Sequence, residues 1–170
     1  AAVRAKWSAW LNWLDDALAT GNKIVVFGHH RAVIEAIASR YDAPMIIGGQ
    51  SQDERQAAID RFQSSPDCQL IAVSIQAGGV GITLTAATQA VFLELGWSPA
   101  IHDQAEARLH RIGQTEPVTC WYLIAADTIE EWIADLLDRK RWVVGAAVGE
   151  DVAQTGEDTL LGQLVEKLLA

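Results

Sequence analysis

The chain has 170 residues, of which half are apolar and about a fifth are charged, so it is long and apolar enough to form a folded domain with a core rather than a disordered protein. Its formal net charge of −9 argues against a surface that coats nucleic acid throughout, because such surfaces are basic. Cys68 and Cys120 have neither a CxxC nor a Cys/His spacing, which excludes a disulfide framework or a zinc site as the expected organisation.

Five short apolar runs rich in β-branched residues predict the buried strands of a mainly parallel sheet. In chain order these runs are KIVVF (23–27), PMII (44–47), LIAVS (70–74), AVFLE (90–94) and VTCWYLI (118–124). Strands that alternate with helices over short connections predict a three-layer α/β fold with right-handed crossovers and helices on both faces of the sheet.

Helix signals lie between these runs, where a capping residue precedes a segment with helical spacing. The expected helices are 3–19 (ended by Gly21), 51–62 (opened by the capping box SQDE), one opened by Ser98 and Pro99, and 128–140 (opened by TIEE). We expect a domain over 1–142, whose tryptophan-rich first helix could pack against a part of a longer protein. Residues 143–156 are then expected to be a linker, and 157–169 an amphipathic helix.

The stretch QAEARLHRIGQ, residues 104–114, contains two arginines three residues apart. On one continuous helix, Gln104, Arg108 and Arg111 fall within about 60° of one another. They would flank an apolar stripe made of Ile101, Ala105, Leu109 and Ile112. Two guanidinium groups beside a core edge suit bidentate binding of a phosphate or carboxylate. The alternative is that they pair with carboxylates of the same domain.

The stretch SIQAGGVGITLTAA, residues 74–87, follows the third predicted strand. Its three glycines allow a ligand to approach the backbone closely; they are Gly78, Gly79 and Gly81. Ser74 and Gln76 offer side-chain hydrogen bonds beside them. Because the spacing is not GxGxxG, a dinucleotide site is only weakly indicated, and a tight turn needed for packing is the alternative.

Two further observations concern phosphate chemistry. FGHH follows the first strand, at the strand end where ligands gather in such sheets, although His29 and His30 are expected to be hydrogen-bonded structural residues. No GxxxxGK[ST] motif occurs, and no strand ends in an acidic pair suited to magnesium. The chain is therefore not expected to hydrolyse ATP on its own.

Four segments together resemble a known family: KIVVFGHHRAVIEAI, IIGGQSQDERQAAIDRF, LIAVSIQAGGVGITLTAATQAVFLELGWSPA and DQAEARLHRIGQTEPVTCWYLI. Their order and spacing are similar to those of the second motor lobe of Swi/Snf-type helicase-like ATPases, which are double-stranded DNA translocases of helicase superfamily two. The portion from VFLELGWSP to HRIGQ looks closest to the annealing-helicase, fork-remodelling branch and its bacterial relatives. The resemblance covers about residues 20–140 and implies a RecA-like lobe.

The resemblance also implies site residues. Gly79 and Gly81 match motif V, which joins DNA contact to nucleotide sensing. Gln104, Arg108 and Arg111 match motif VI, whose arginines act as fingers on the γ-phosphate of ATP, bound with Mg²⁺ mainly by the first lobe. The implied DNA contacts are Ser74, Gln76, Gly78, Trp97 and Arg55. The sequence departs from the family at Gln76, where many members have arginine or threonine, and at Ser98, where asparagine is usual.

The leading hypothesis is thus half of a motor: the second lobe of an ATP-dependent DNA translocase, inactive as an ATPase without the first. Its expected partners are double-stranded DNA and the first RecA-like lobe of the same parent protein, with no membrane partner, since no apolar run reaches the about 20 residues of a membrane span. Alternatives are a stand-alone, non-catalytic nucleotide- or nucleic-acid-binding module, or a structural or dimerising domain. The alanine-rich composition suggests a bacterial or phage source and a cytoplasmic location, and a eukaryotic source would suggest the nucleus.

Overall fold

The computed structural model describes residues 2–77, 81–96, 98–126, 128–135 and 137. In chain order the elements are α1 (Ala2–Leu18), β1 (Ile24–Gly28), α2 (Arg31–Arg40), β2 (Met45–Ile46), α3 (Gln52–Ser64), β3 (Leu70–Ser74), β4 (Gln89–Phe92), α4 (Pro99–Glu106) and β5 (Thr119–Tyr122). Residues 129–135 are also helical. The predicted linker and amphipathic helix at 143–169 lie outside the described residues, and so do Gly78, Gly79 and Trp97.

The five strands form one sheet in the order β2-β3-β1-β4-β5, and every pairing is parallel. All five predicted strands are confirmed. Every residue of the central strands β1 and β3 is buried, because helices cover both faces of the sheet. This burial explains why the two strands have uninterrupted apolar sequences rather than alternating ones.

Two apolar cores lie on opposite faces of the sheet. On one face Phe92 stacks between Phe27 and Tyr122, at centroid distances of 4.9 and 4.7 Å. On the other, Trp10 and Leu14 of α1 are fully buried. The tryptophan-bearing face of α1 thus packs on the domain's own core, while a contact between α1 and another lobe stays a prediction.

Helix ends follow the predicted capping only in part. The capping box at Ser51 is confirmed: its backbone N–H donates to Glu54 Oε2 at 2.7 Å, and its hydroxyl accepts from Glu54 N. Ser98 is the N-cap of α4 as predicted, but its side chain makes no capping hydrogen bond. At the TIEE segment, the hydroxyl of Thr128 accepts from Glu130 N.

The helix predicted to carry both arginines is shorter than expected, and that prediction was wrong. α4 ends at Glu106, and the chain continues through tighter turns in which Arg108 N donates to Ala105 O and Leu109 N to Glu106 O. Ala105 and Leu109 are buried as predicted, but Ile112 is fully exposed. The regular helix therefore ends at Glu106, although Ala107 N and His110 N still donate to the carbonyls four residues back. Among the described residues, no helix has the length and apolar character that a membrane crossing requires.

Candidate functional site

Arg108 and Arg111 lie in the turns after α4, and a main-chain hydrogen bond joins this region to the loop that follows β3. The carbonyl of Arg108 accepts from Leu84 N at 3.0 Å. After Arg111 the chain reverses at Gly113, whose φ of +108° favours glycine. The predicted pair is thus held by loop-to-loop contacts instead of by a shared helix face.

The side chain of Arg111 docks on the same loop. Its Nη1 donates to Thr83 Oγ1 at 3.2 Å and points at the carbonyl of Gly81 at 3.4 Å. Among the described residues, Arg111 forms no ion pair with a carboxylate. The alternative in which Arg111 serves a carboxylate of its own domain therefore finds no support.

Arg108 is nearly buried, with 9% of its surface exposed. Burial lowers the pKa of its guanidinium, and the positive charge of Arg111 lowers it further. Both effects disfavour the charged form, since a buried cation loses its hydration and two like charges repel each other.

A groove of about 500 Å³ opens beside this loop. It is lined by Gln52, Arg55, Gln56, Ile59, Gly81, Ile82 and Thr83. Arg55 is held in place by its own helix start, since its Nε and Nη2 donate to the carbonyl of Gln50 at 3.3 and 2.9 Å. Arg111 therefore contacts two of the residues that line the groove, Gly81 and Thr83.

The predicted site residues separate into two groups. Arg55, Gly81, Arg108 and Arg111 are brought into one region by α3, the loop after β3 and the turns after α4. Ser74 is buried at the end of β3, whereas Gln76 and Gln104 are exposed, and none of these three lines the groove.

A buried carboxylate that no sequence motif indicates lies at the C-terminal ends of β1 and β4. Glu94 follows β4, is 7% exposed, and accepts hydrogen bonds from the backbone N–H groups of His29 and His30 at 2.7 and 2.8 Å. Its other oxygen lies 2.6 Å from Nδ1 of His30. The histidine is thus hydrogen-bonded as predicted. The carboxylate of Glu94 thus occupies the N-terminal end of α2, a position where a phosphate could otherwise bind.

The fit of ATP and Mg²⁺ to this chain is partial. The two arginines suit phosphate oxygens, which accept paired hydrogen bonds from a guanidinium. Within the described residues, no group of three or more His, Cys, Asp or Glu side chains could hold a metal ion. These residues therefore fit one end of a nucleotide's phosphate chain and do not by themselves fit its metal.

The order of these features matches a known domain. The sequence-family model of the helicase conserved C-terminal domain matches residues 6–113. These residues include most of the sheet, the groove and both arginines. The chain belongs to this family. The helicase C-terminal domain here is of the Snf2 type, as its relatives show.

Two relatives support the assignment to the Snf2 type. The chain is 42% identical over 127 residues to a SWI/SNF-related matrix-associated actin-dependent regulator of chromatin, subfamily A-like protein 1, from Drosophila melanogaster. It is 40% identical over 131 residues to the human DNA annealing helicase and endonuclease ZRANB3. These matches cover 72% and 74% of this chain but only 17% and 12% of the relatives, so the chain spans less than a fifth of their length.

Solved structures agree with this assignment. The C-terminal part of the Fun30 ATPase domain is 30% identical, with a TM-score of 0.69 over 78% of this chain and 45% of that one. The SWI2/SNF2 ATPase core of Sulfolobus solfataricus in complex with double-stranded DNA is 32% identical, with a TM-score of 0.66 over 81% of this chain and 30% of that one. The RecA-like fold expected from the resemblance is confirmed.

Proposed function

We propose that the chain is the second motor lobe of an ATP-dependent double-stranded DNA translocase, and that it does not hydrolyse ATP without the first lobe. The observation that carries this proposal is the docking of Arg111 on Gly81 and Thr83, which also line the groove. A nucleotide contact and a DNA contact would then share one loop.

In this proposal, ATP supplies the phosphoryl group that is transferred to water, and the first lobe holds the nucleotide and Mg²⁺. Arg108 and Arg111 reach that nucleotide across the interface between the lobes. Their guanidinium groups stabilise the negative charge on the phosphoryl oxygens, which lowers the barrier where charge develops. Gln104, Gly79 and Gly81 are assigned to the same nucleotide side.

The groove is the proposed track for the DNA backbone. Arg55 supplies a positive charge there, and the amides of Gln52 and Gln56 can donate to phosphate oxygens, a type of contact that positions a protein without reading sequence. The similarity to a core solved with double-stranded DNA supports this ligand. We extend the track to Ser74, Gln76, Gly78 and Trp97. The animal relatives favour a nuclear location and give no support to a bacterial or phage source.

The test uses the protein that includes the first lobe, if the reading frame encodes one. Arg111→Ala should lower the kcat of DNA-stimulated ATP hydrolysis by about 10³-fold, because loss of an arginine finger costs on that order. The Kd for ATP should change by less than about threefold, since the finger acts mainly in the transition state. Arg40→Ala is the matched control, because Arg40 is the last residue of α2, pairs with Asp15 and does not line the groove.

Two results would contradict the proposal. Turnover of Arg111→Ala within about threefold of the unchanged protein would remove the finger role. A reading frame without a phosphate-loop motif preceding this chain would favour the stand-alone binding module instead.

A further inference from the structure

Two glutamine side chains form hydrogen bonds to the loop after β3, whose residues 81–83 line the groove. From α3, Gln63 Nε2 points at the carbonyl of Thr83 (3.3 Å) and the hydroxyl of Thr85 (3.4 Å), and Gln63 Oε1 accepts from Ala86 N at 2.8 Å. Beyond Arg111, Gln114 Nε2 donates to the carbonyls of Thr85 and Ala87 at 3.1 and 2.8 Å. The loop is thus fixed both to the groove helix and to the arginine turns.

Thr83 lies between Gln63 and Arg111 and contacts both. Its carbonyl faces Gln63, its hydroxyl accepts from Nη1 of Arg111, and the residue itself lines the groove. A half-buried threonine hydroxyl at this position can accept a hydrogen bond from a guanidinium without neutralising its charge. A carboxylate in the same place would neutralise that charge and compete with a phosphate.

We propose that Thr83 is a positioning residue for Arg111, and that Gln63 holds Thr83 in place from the helix that lines the groove. The hydroxyl of Thr83 holds the guanidinium of Arg111 in one position while leaving its charge available. The role of this geometry in catalysis rests on the proposed function; the ordering of the Arg111 side chain does not.

The ordering is tested on the chain itself by NMR relaxation of the Arg111 Nε–Hε group. Thr83→Val has the same shape without the hydroxyl, and it should lower the order parameter of this group to a value typical of flexible groups, below about 0.6. Thr83→Ser restores the hydroxyl and should restore the order. Gln63→Glu keeps the acceptor for Ala86 N but replaces the donor to Thr83, and it should lower the order as well. Thr88→Val removes a hydroxyl farther along the same segment and serves as the control.

The result that overturns the proposal is an Arg111 side chain as ordered in Thr83→Val as in the unchanged chain. A loss of order that Thr83→Ser does not restore would also overturn it, because the effect would then come from packing. Backbone amide spectra show whether each variant keeps the fold. Since this measurement involves no ATP hydrolysis, its outcome is independent of the proposed function.

In the protein with both lobes, Thr83→Val should lower kcat by about 10-fold to 100-fold, as expected when a catalytic group loses its alignment. The KM for ATP should stay nearly constant, because the contact positions the finger and does not bind the ground state. Combined with Arg111→Ala, Thr83→Val should cause no additional loss. An additional loss in the double variant would show that Thr83 acts independently of Arg111. If Arg111→Ala alone has no effect, the proposed finger role fails while the NMR result stands.

Discussion

Glu94 shows how one buried carboxylate can hold the main chain between β1 and α2. It accepts two backbone hydrogen bonds from His29 and His30, so removing its carboxylate leaves those N–H groups without their acceptor. Glu94→Ala should lower the free energy of unfolding by about 2–3 kcal/mol, measured by urea denaturation. Glu35→Ala is the control: it breaks an exposed ion pair with Arg31 and should cost at most about 1 kcal/mol. Equal effects of the two substitutions would contradict the buried role of Glu94.

The sequence could not identify Glu94 or Gln63, for a physical reason. Their partners lie 64 to 65 and 20 to 23 residues away, so no local spacing records the contact. Ser51 and Glu54, by contrast, are three residues apart on one helix start, and that spacing alone predicts the observed capping box. Residue-scale prediction succeeded where the interaction is local in sequence.

At the scale of elements, α4 shows tertiary contacts overriding a helical pattern. The main chain of Arg108 bonds to Leu84, and Glu106 accepts from the hydroxyl of Tyr122, which anchors the end of the helix to β5. The apolar spacing of QAEARLHRIGQ is compatible with a longer helix, yet its last apolar residue, Ile112, is exposed. The pattern therefore predicted the burial of Ala105 and Leu109, but not the turns in which Arg108 and Arg111 lie.

The start of α3 gives a pH-dependent prediction. The backbone N–H and hydroxyl of Ser51 lower the pKa of Glu54 below its ordinary value. The stabilisation from the charged carboxylate is therefore complete above about pH 4.3, the usual glutamate pKa, and is lost as the pH falls through the lower pKa of the folded state. Glu54→Gln should consequently flatten the acid limb of a plot of stability against pH. At neutral pH, Ser51→Ala should cost about 1 kcal/mol by urea denaturation. An unchanged acid limb in Glu54→Gln would contradict this prediction.

A buried ion pair holds α1 to the helical residues 129–135. Lys6 Nζ lies 2.5 Å from Glu130 Oε2, and Lys6 is only 8% exposed. Lys6→Ala should destabilise the domain by about 3 kcal/mol, because it leaves a largely buried carboxylate without its counter-charge. The double variant Lys6→Met with Glu130→Gln should recover at least half of that loss, since neither side chain is then charged. Urea denaturation measures both, and a double variant no more stable than Lys6→Ala would contradict the pairing argument.

For the whole molecule, the sheet was predictable because its strands follow from patterns that do not depend on distant partners. The continuous apolar runs of β1 and β3 indicate burial on both faces, and parallel pairing follows from the helices between them. The start of α2 has no capping signal in the sequence, because its N-cap residue is His30 rather than Ser, Thr, Asp or Asn. In the structure His30 makes no side-chain capping bond. The groove emerges only when α3 and the loop after β3 are packed together.

A net charge of −9 repels DNA, so the proposed DNA binding depends on local positive charges such as that of Arg55. If Arg55 contacts a DNA phosphate, Arg55→Gln should reduce the slope of log affinity against log salt concentration by about 0.9, the value of one released counterion. Arg40→Gln changes the net charge equally, but Arg40 pairs with Asp15 and does not line the groove, so this variant should leave the slope unchanged. Fluorescence anisotropy with a duplex DNA probe over a salt series measures both slopes. If the two variants reduce the slope equally, total charge governs binding and the groove is not the DNA track.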